Sequence, residues 1–489
     1  MKYPFLGKCV ARFVSGGSVL VFLLALLIFI PEPAHAIPAF ARKYGLPCSA
    51  CHISWPELNN FGQVFRDNGY QMMNDRDSPI TRDASYFPIT IRITPQWHRE
   101  SANNQAVDNV PGSADGGTHQ GALTTTGFDL SGMDVWFAGT LFKNVTFSAL
   151  PSSDPTATFH FENAYVRFDN LLHTSWLNLK VGKYELDLPV SEKRELTLSG
   201  EGGFYWIYHF APFGDANRFG GIGDNQIGLE LVGHNSNSYT RYAFSVVSSL
   251  DGGVMQNYGE TVHFGSTPAN FPPAGRTFDY YGHFEQGFNT FNSGFMKVGA
   301  YAYFGFAPTF FETSGGLVVP GSYGRGNKPF YRAGAEWKWY FNKYLFKGVY
   351  LHGYDNATLA NFGFGTAQPP SVLPAGDRAT VWNGGFLEGQ YIISPQWVLI
   401  GRYELIRVSQ QANSSIPGDT GNLDAFTIAS RWNPFMFSRA GLAIQSEYSW
   451  VRSRNVADIG TVFSPILAPC SPGCYVSASS VFFGVDFDF

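Results

Sequence analysis

An all-β fold, a transmembrane antiparallel β-barrel of about sixteen strands with a small helical domain at its N-terminus, is the class this sequence predicts. Three observations predict it. The first is composition: 15% of the 489 residues are charged and 17% are aromatic, against about 25% charged in soluble domains. Beyond the N-terminus no run of about 20 apolar residues appears, so the chain has no helical span to account for that apolarity. The second is a period-two alternation of apolar and polar residues from Tyr86 onward. The third is a regular succession of short and long connectors between those runs.

The first 36 residues read as a targeting segment. Lys2, Lys8 and Arg12 give a positive start, Val19 to Ile30 an apolar core too short to span a bilayer, and Ala34-His35-Ala36 a small-x-small cleavage site. The expectation is export from a Gram-negative cytoplasm by a cleaved signal peptide, with a mature chain from about Ile37. Cys9 leaves with that segment. The organisation that follows is 37–82 as a small domain and 86–489 as the barrel.

The small domain carries Cys48-Ser49-Ala50-Cys51-His52. Two thiols two residues apart match the vinyl groups along one porphyrin edge, and the next-residue histidine reaches the iron, so the spacing predicts one covalent haem c. A redox disulfide leaves His52 unused and lacks a thioredoxin-like pattern. A zinc site lacks a second ligand pair nearby. A short helix is expected next, capped by Ser54 with Pro56 in its first turn. Leu58, Phe61 and Phe65 would form its apolar face, and Gly69 its left-handed end. About 45 residues bury little apolar surface alone, so a prosthetic group is expected to supply much of this core. For a sixth iron ligand the sequence offers Met72 first, then Met73 and His98; an open five-coordinate iron is the alternative.

In the barrel, Tyr331, Ala333, Ala335, Trp337 and Trp339 alternate with Arg332, Gly334, Glu336 and Lys338. Trp397, Leu399, Gly401, Tyr403 and Leu405 alternate with Arg402 and Glu404, and Val481, Phe483, Val485, Phe487 and Phe489 with Gly484, Asp486 and Asp488. Runs of about ten residues suit tilted strands with lipid on one face and a polar lumen on the other. Short connectors are expected at Leu141–Asn144, Asn170–Ser175, His234–Ser238, Gly287–Asn292, Phe341–Tyr344, Ser394–Gln396 and Asn433–Phe437. Long ones are expected at Arg99–Leu123, Pro189–Asn225, Leu250–Arg276, Ala307–Lys328, Asp355–Arg378 and Arg452–Val476, with Pro151–Ala157 and Gln410–Asn422 shorter members of that set. Sixteen strands put both chain ends on the short-connector side. The run His160 to Phe168 changes phase partway. Cys470 and Cys474 fall in the last long connector, where a local disulfide is expected ahead of a metal site.

An exported CxxCH segment followed by such a barrel resembles the outer-membrane fused monohaem cytochrome–porins of iron-oxidising bacteria. The resemblance rests on Phe40-Ala41-Arg42, Cys48-x-Ala50-Cys51-His52, Trp55-Pro56-x-Leu58, Phe61-Gly62, Phe65-Arg66 and Gly69-Tyr70, and on the barrel's architecture. Phe489 also looks like the terminal aromatic that outer-membrane assembly reads, while Ile53 departs from the threonine expected after the haem histidine. The resemblance implies electron transfer across the outer membrane, from extracellular Fe(II) to a periplasmic c-type cytochrome or cupredoxin. One periplasmic haem does not reach across about 30 Å of hydrocarbon. The small domain is therefore expected to enter the lumen as a plug, lined by Arg332, Glu336, Lys338, Glu388, Arg402 and Glu404; the alternative is that these charges only solvate a channel wall. A solute porin with a haem-bearing plug or sensor is the competing function, and a haem enzyme acting on a small oxidant a weaker third. No hydrolytic or transferase motif stands in the chain. With a net charge of -5 and no basic patch, nucleic acid is not an expected partner.

Overall fold

Sixteen strands, each hydrogen-bonded to its sequence neighbours, close on themselves when the last pairs with the first. The computed structural model describes residues 39–74, 77–82, 88–109, 118–153, 159–188, 225–248, 278–290, 294–307, 328–355, 378–411, 414, 418–419, 422–437, 441–454 and 475–488. The expected targeting segment, Cys470, Cys474, Phe489 and most of the expected long connectors lie outside the described residues.

The small domain comprises α1 (Ala39–Tyr44), α2 (Cys48–Cys51), a two-stranded hairpin of β1 (His52–Ser54) and β2 (Glu57–Leu58), and α3 (Asn60–Asp67). The barrel follows as β3 (Ile89–Asn109), β4 (Thr118–Phe142), β5 (Val145–Ser153), β6 (Phe159–Phe168), β7 (Asn178–Glu185) and β8 (Asn225–His234). Next come β9 (Thr240–Ser248), β10 (Phe278–Thr290), β11 (Gly294–Ala307), β12 (Lys328–Phe341) and β13 (Tyr344–Asp355). The last five are β14 (Thr380–Ser394), β15 (Trp397–Gln410), β16 (Leu423–Trp432), β17 (Gly441–Arg454) and β18 (Tyr475–Asp488). β18 closes the ladder on β3, from Ala478 opposite Ala102 to Asp488 opposite Arg92. Closure leaves no open edge in lipid, where an unpaired peptide group is costly.

Alternation sets the two faces. On β12, Trp337 and Trp339 are exposed while Arg332, Glu336 and Lys338 are buried inside; on β15, Leu399 and Tyr403 point out and Arg402 and Glu404 in. The outward face carries Phe142, Phe288, Trp339, Tyr344, Tyr391, Trp397 and Trp432 near the short turns, an aromatic belt of the kind found at a lipid–water boundary. Two of those turns place Asn144 (φ 63°) and Asn342 (φ 53°) in the left-handed region, which asparagine tolerates.

Three features, two of them differences from the sequence reading, have local causes. The stretch Arg99–Leu123, expected as a loop, is mostly strand, with Asn109 opposite Thr118. Its Ser, Thr and Asn residues pair as a ribbon that runs past both flanking strands, because pairing needs backbone and not an apolar face. The phase change in β6 is a bulge: Leu150 faces Asn163 and Pro151 faces Phe161, leaving Glu162 as the extra residue. Outward positions shift accordingly from Phe161 to Ala164. Pro95 and Pro151 both sit where the register slips, as residues without an N–H must. The other difference is the helix after the CxxCH segment. It starts at Asn60, and its cap is Asn59, whose side chain accepts from Gly62 N at 2.9 Å. Ser54 and Leu58 belong to the β1–β2 hairpin instead.

Candidate functional site

Four aromatic rings hold the small domain together. Phe40 stacks on Tyr70 at 4.9 Å, and Phe65 meets Phe40, Tyr44 and Tyr70 edge-on at 5.3–5.9 Å. Phe61 is 41% exposed, so Leu58, Phe61 and Phe65 do not share one helical face as the spacing suggested. At the end of α3 the N–H groups of Gly69 and Tyr70 return to the carbonyls of Arg66 and Phe65, each at 2.9 Å. Gly69 takes φ +70° there, the left-handed close the sequence predicts.

The CxxCH segment is clamped onto α3. Asn59 N donates to Cys51 O and Asn59 Nδ2 to Ala50 O, both at 2.9 Å. Gly62 lies so close that an added Cβ would stand 2.2 Å from Cys51 O. Cys48 is buried, Cys51 half-buried, and neither is in a disulfide. Burial, then the Asp488 carboxylate, push the Cys48 thiol up to about 12, and burial pushes Cys51 up to about 11. Protonated thiols of this kind are not the thiolates that redox-active CxxC pairs present. The His52 ring lies 4.6 Å from that of Trp55. Its Nδ1 is 3.0 Å from the Pro56 carbonyl, a geometry in which Nδ1–H donates and Nε2 keeps its lone pair. Burial lowers this histidine to about 4, so the ring is neutral.

These residues fit a covalent haem. Two thiols stand at the required spacing, and a neutral imidazole has its Nδ1 oriented by a carbonyl. A cleft of about 390 Å³ lies between Ile53, Leu58 and Gln63 of the small domain and Phe295, Lys297 and Tyr340 of the wall; Cys48, Cys51 and His52 are not among its lining residues. Met72 is half-buried, its backbone N–H held by Asp77 Oδ1 at 2.8 Å. Its neighbours reach the β4–β5 and β6–β7 turns, Gln71 Oε1 accepting from Asn144 N and Met73 Sδ from Asn170. No described hydrogen bond or ring contact joins Met72, Met73 or His98 to His52.

The domain sits inside the barrel at the short-turn mouth. On one side Ser49 N donates to Met436 O in the β16–β17 turn at 3.0 Å, and Glu57 pairs with Lys347 and accepts from Tyr340 at 2.9 Å. On the other, Lys43 donates to Thr140 at 2.6 Å and Arg42 to Ile89 O. At its inner end α3 meets a buried charge network that sequence reading did not find. After β7 the chain turns inward, burying Leu186, Asp187 and Leu188. Asp187 pairs with Arg66 of α3 and with Arg241 of β9 at 2.9 Å; Arg241 also holds Asp67 at 3.1 Å. His283 bridges Asp187 at 3.1 Å and Glu336 at 2.8 Å. Arg167 donates to the carbonyls of Arg66 and Asp67, satisfying the helix C-terminus with a cation. Burial pushes Asp67 up, but Arg241 and Arg66 outweigh it and hold the carboxyl well below the usual range; Asp187 behaves likewise. The partners are 121 and 174 residues apart in sequence, and no local pattern joins them.

The lumen residues expected from sequence all face inward and are buried. Arg402 pairs with Glu388 at 2.7 Å and Glu404 at 3.1 Å, and Glu336 holds His283. They form a balanced wall.

No family model matches the chain, and no curated protein does. Among solved structures, the barrel is similar to an anion-selective porin of Comamonas acidovorans, with 11% identity and a TM-score of 0.44 over 82% of this chain and 99% of that one. It is also similar to the outer membrane channel DcaP of Acinetobacter baumannii, with 10% identity and a TM-score of 0.42 over 81% and 96%. OprB of Pseudomonas putida gives 8% identity and a TM-score of 0.42 over 82% and 94%. The sixteen-strand ladder rests on the pairing above.

Proposed function

We propose that this chain is an outer-membrane electron conduit with one haem c attached through Cys48 and Cys51 and ligated by His52. The direction is from extracellular Fe(II) to a periplasmic cytochrome or cupredoxin. The observation that carries the reading is the pairing of His52 Nδ1 with the Pro56 carbonyl, inside a CxxCH segment lodged within a barrel. That bond orients Nε2 as an iron ligand and raises its basicity. When bound, the haem supplies one-electron chemistry at iron. The chain's own part is to hold it. Asn59 and Gly62 fix the CxxCH loop on α3, the aromatic cluster keeps α3 rigid, and the Asp187 network ties α3 to the wall. A plug within the lumen shortens the distance an electron must cover, which a domain hanging below the membrane does not.

The test is Fe(II) added to intact cells. Absorbance of reduced haem is expected within the mixing time, and its loss in the His52→Ala variant. Haem that stays oxidised under Fe(II) but is reduced by a small permeant reductant would remove iron as the donor while leaving the conduit. The cleft of about 390 Å³ beside the plug favours a second reading, a solute channel whose plug bears the haem. Conductance in planar bilayers near that of an open porin supports that second reading and counts against the first.

A further inference from the structure

Asp488 ends β18 at the short-turn mouth, opposite Gly441 at the start of β17 and Arg92 of β3. It is buried, and its Oδ2 has no hydrogen-bond partner. The cations around it are committed elsewhere. Arg92 donates to both oxygens of Asp486 at 2.6 and 2.9 Å, and Arg431 of β16 donates to Asp486 Oδ2 at 3.0 Å. Arg92 also lies 3.8 Å from Asp134 of β4. On the plug side, Arg42 and Lys43 of α1 turn to Ile89 O and Thr140. Among the described residues, three carboxyls (Asp134, Asp486 and Asp488) thus share two guanidinium groups. Asp486 bonds both, and Asp488 is the carboxyl left over.

The CxxCH segment lies against this end of the wall. Ser49 N donates to Met436 O at 3.0 Å, in the turn that leads into β17. The Asp488 carboxylate is close enough to raise the Cys48 thiol, second only to burial. Cys48 is an attachment residue of the proposed haem; the iron ligand is His52, and no described hydrogen bond joins His52 to Asp488. A carboxyl without a cation therefore stands beside the edge at which the haem would be attached.

We propose that Asp488 is the proton-coupled group of the haem site, releasing a proton when the iron loses an electron and taking one back on reduction. The inference rests on the haem reading above. The two arginines balance Asp134 and Asp486, so the cluster is neutral while Asp488 holds its proton. Ferric iron carries one positive charge more than ferrous iron, and an opposite charge nearby favours the ionised carboxyl. Oxidation thus converts Fe(II) and a carboxylic acid into Fe(III) and a carboxylate. The electron passes to the periplasmic acceptor and the proton to water at the mouth. The potential falls as pH rises, because ionised Asp488 stabilises the ferric state.

The test is the haem midpoint potential of the purified full chain in detergent, titrated from about pH 5 to about pH 9. Wild type is expected to fall by at least about 30 mV per pH unit at its steepest, half of what one proton per electron gives. Asp488→Asn is neutral throughout. It is expected to match wild type at the acid end and to lie above it, on a flatter profile, at the alkaline end. A purely structural role would shift both ends alike. Asp424→Asn, at the opposite rim, is expected to keep the wild-type slope. Should Asp488→Asn not assemble, reduced-minus-oxidised infrared spectra carry the test. Reduction is expected to bring up the carbonyl stretch of one protonated carboxyl, and Asp488→Glu to move that band. A slope kept by Asp488→Asn assigns the proton to another group, the haem propionates included, and overturns the proposal, as does an absent or unmoved band. A flat wild-type profile overturns this proposal alone, whereas a chain that retains no haem overturns the haem reading with it.

Discussion

The plug and the barrel are stabilised in opposite ways. Each barrel strand has a main-chain ladder on both sides, so its fold depends little on any one side chain. The plug has three helices of four to eight residues and a hairpin of two short strands. Its aromatic cluster is small, and much of its polar surface is satisfied only by the wall, through Arg241, Arg167, Lys347 and Met436. The barrel is expected to fold without the plug, and the plug not to fold without the barrel.

Removing residues 37–82 while keeping residues 1–36 breaks the comparison most directly. The remaining barrel is expected to assemble and to raise single-channel conductance more than about tenfold, the step from a plugged to an open lumen of this size. The excised segment expressed alone is expected to show no cooperative thermal transition. A barrel that fails to assemble would mean the plug is a folding element.

A single change in the network comes next. Asp187→Asn removes the partner shared by Arg66, Arg241 and His283, leaving buried cations exposed to each other, a loss of about 3–5 kcal/mol. The plug is then expected to become protease-sensitive while the barrel stays heat-stable. Acid acts through the same groups. Asp67 and Asp187 are held below their unfolded range, so their contribution is complete at neutral pH and lost as pH falls. Loosening is expected to begin below about pH 4, where an unfolded carboxylate takes its proton, read as a rise in conductance or in cleavage of the plug.

Smaller effects map the clamp on the CxxCH loop. Gly62→Ala drives a methyl against Cys51 O and is expected to cost the plug about 1–3 kcal/mol. Asn59→Ala removes both the α3 cap and the bond to Ala50, at about 1–2 kcal/mol. Each is measured as a lower midpoint for loss of plug protection in urea. If Gly62→Ala is neutral, the loop is looser on α3 than its hydrogen bonds indicate.

The same contrast decides what could be read from sequence. Barrel strands announce themselves because alternation is local: Trp337 beside Lys338 or Tyr403 beside Arg402 states which face is which, and the short connectors count the turns. Reading failed where backbone pairing needs no such pattern, as in the polar ribbon of β3 and β4; in β6 it marked the change of phase without placing the extra residue at Glu162. In the plug, Gly69 takes the left-handed close that spacing predicts, and the CxxCH spacing singles out Cys48, Cys51 and His52 as candidates. The helix start was misplaced because Ser54 and Asn59 are both plausible caps, and only the β1–β2 hairpin settles which is used. Arg66, Asp187, Arg241 and Glu57 were invisible as a site, since their partners come from distant strands. Met72 is an expectation from proximity in sequence; its own described hydrogen bond is to Asp77, while its neighbours Gln71 and Met73 reach the β4–β5 and β6–β7 turns.

The central claim is a covalent haem on the plug, and its direct measurement is haem retained by the chain after full denaturation and solvent extraction. One haem per chain by alkaline pyridine spectrum is expected for the wild type, and none for Cys48→Ala with Cys51→Ala. Wild-type chain that is stripped of colour by the same treatment would contradict the account and leave a plugged barrel with two unexplained thiols.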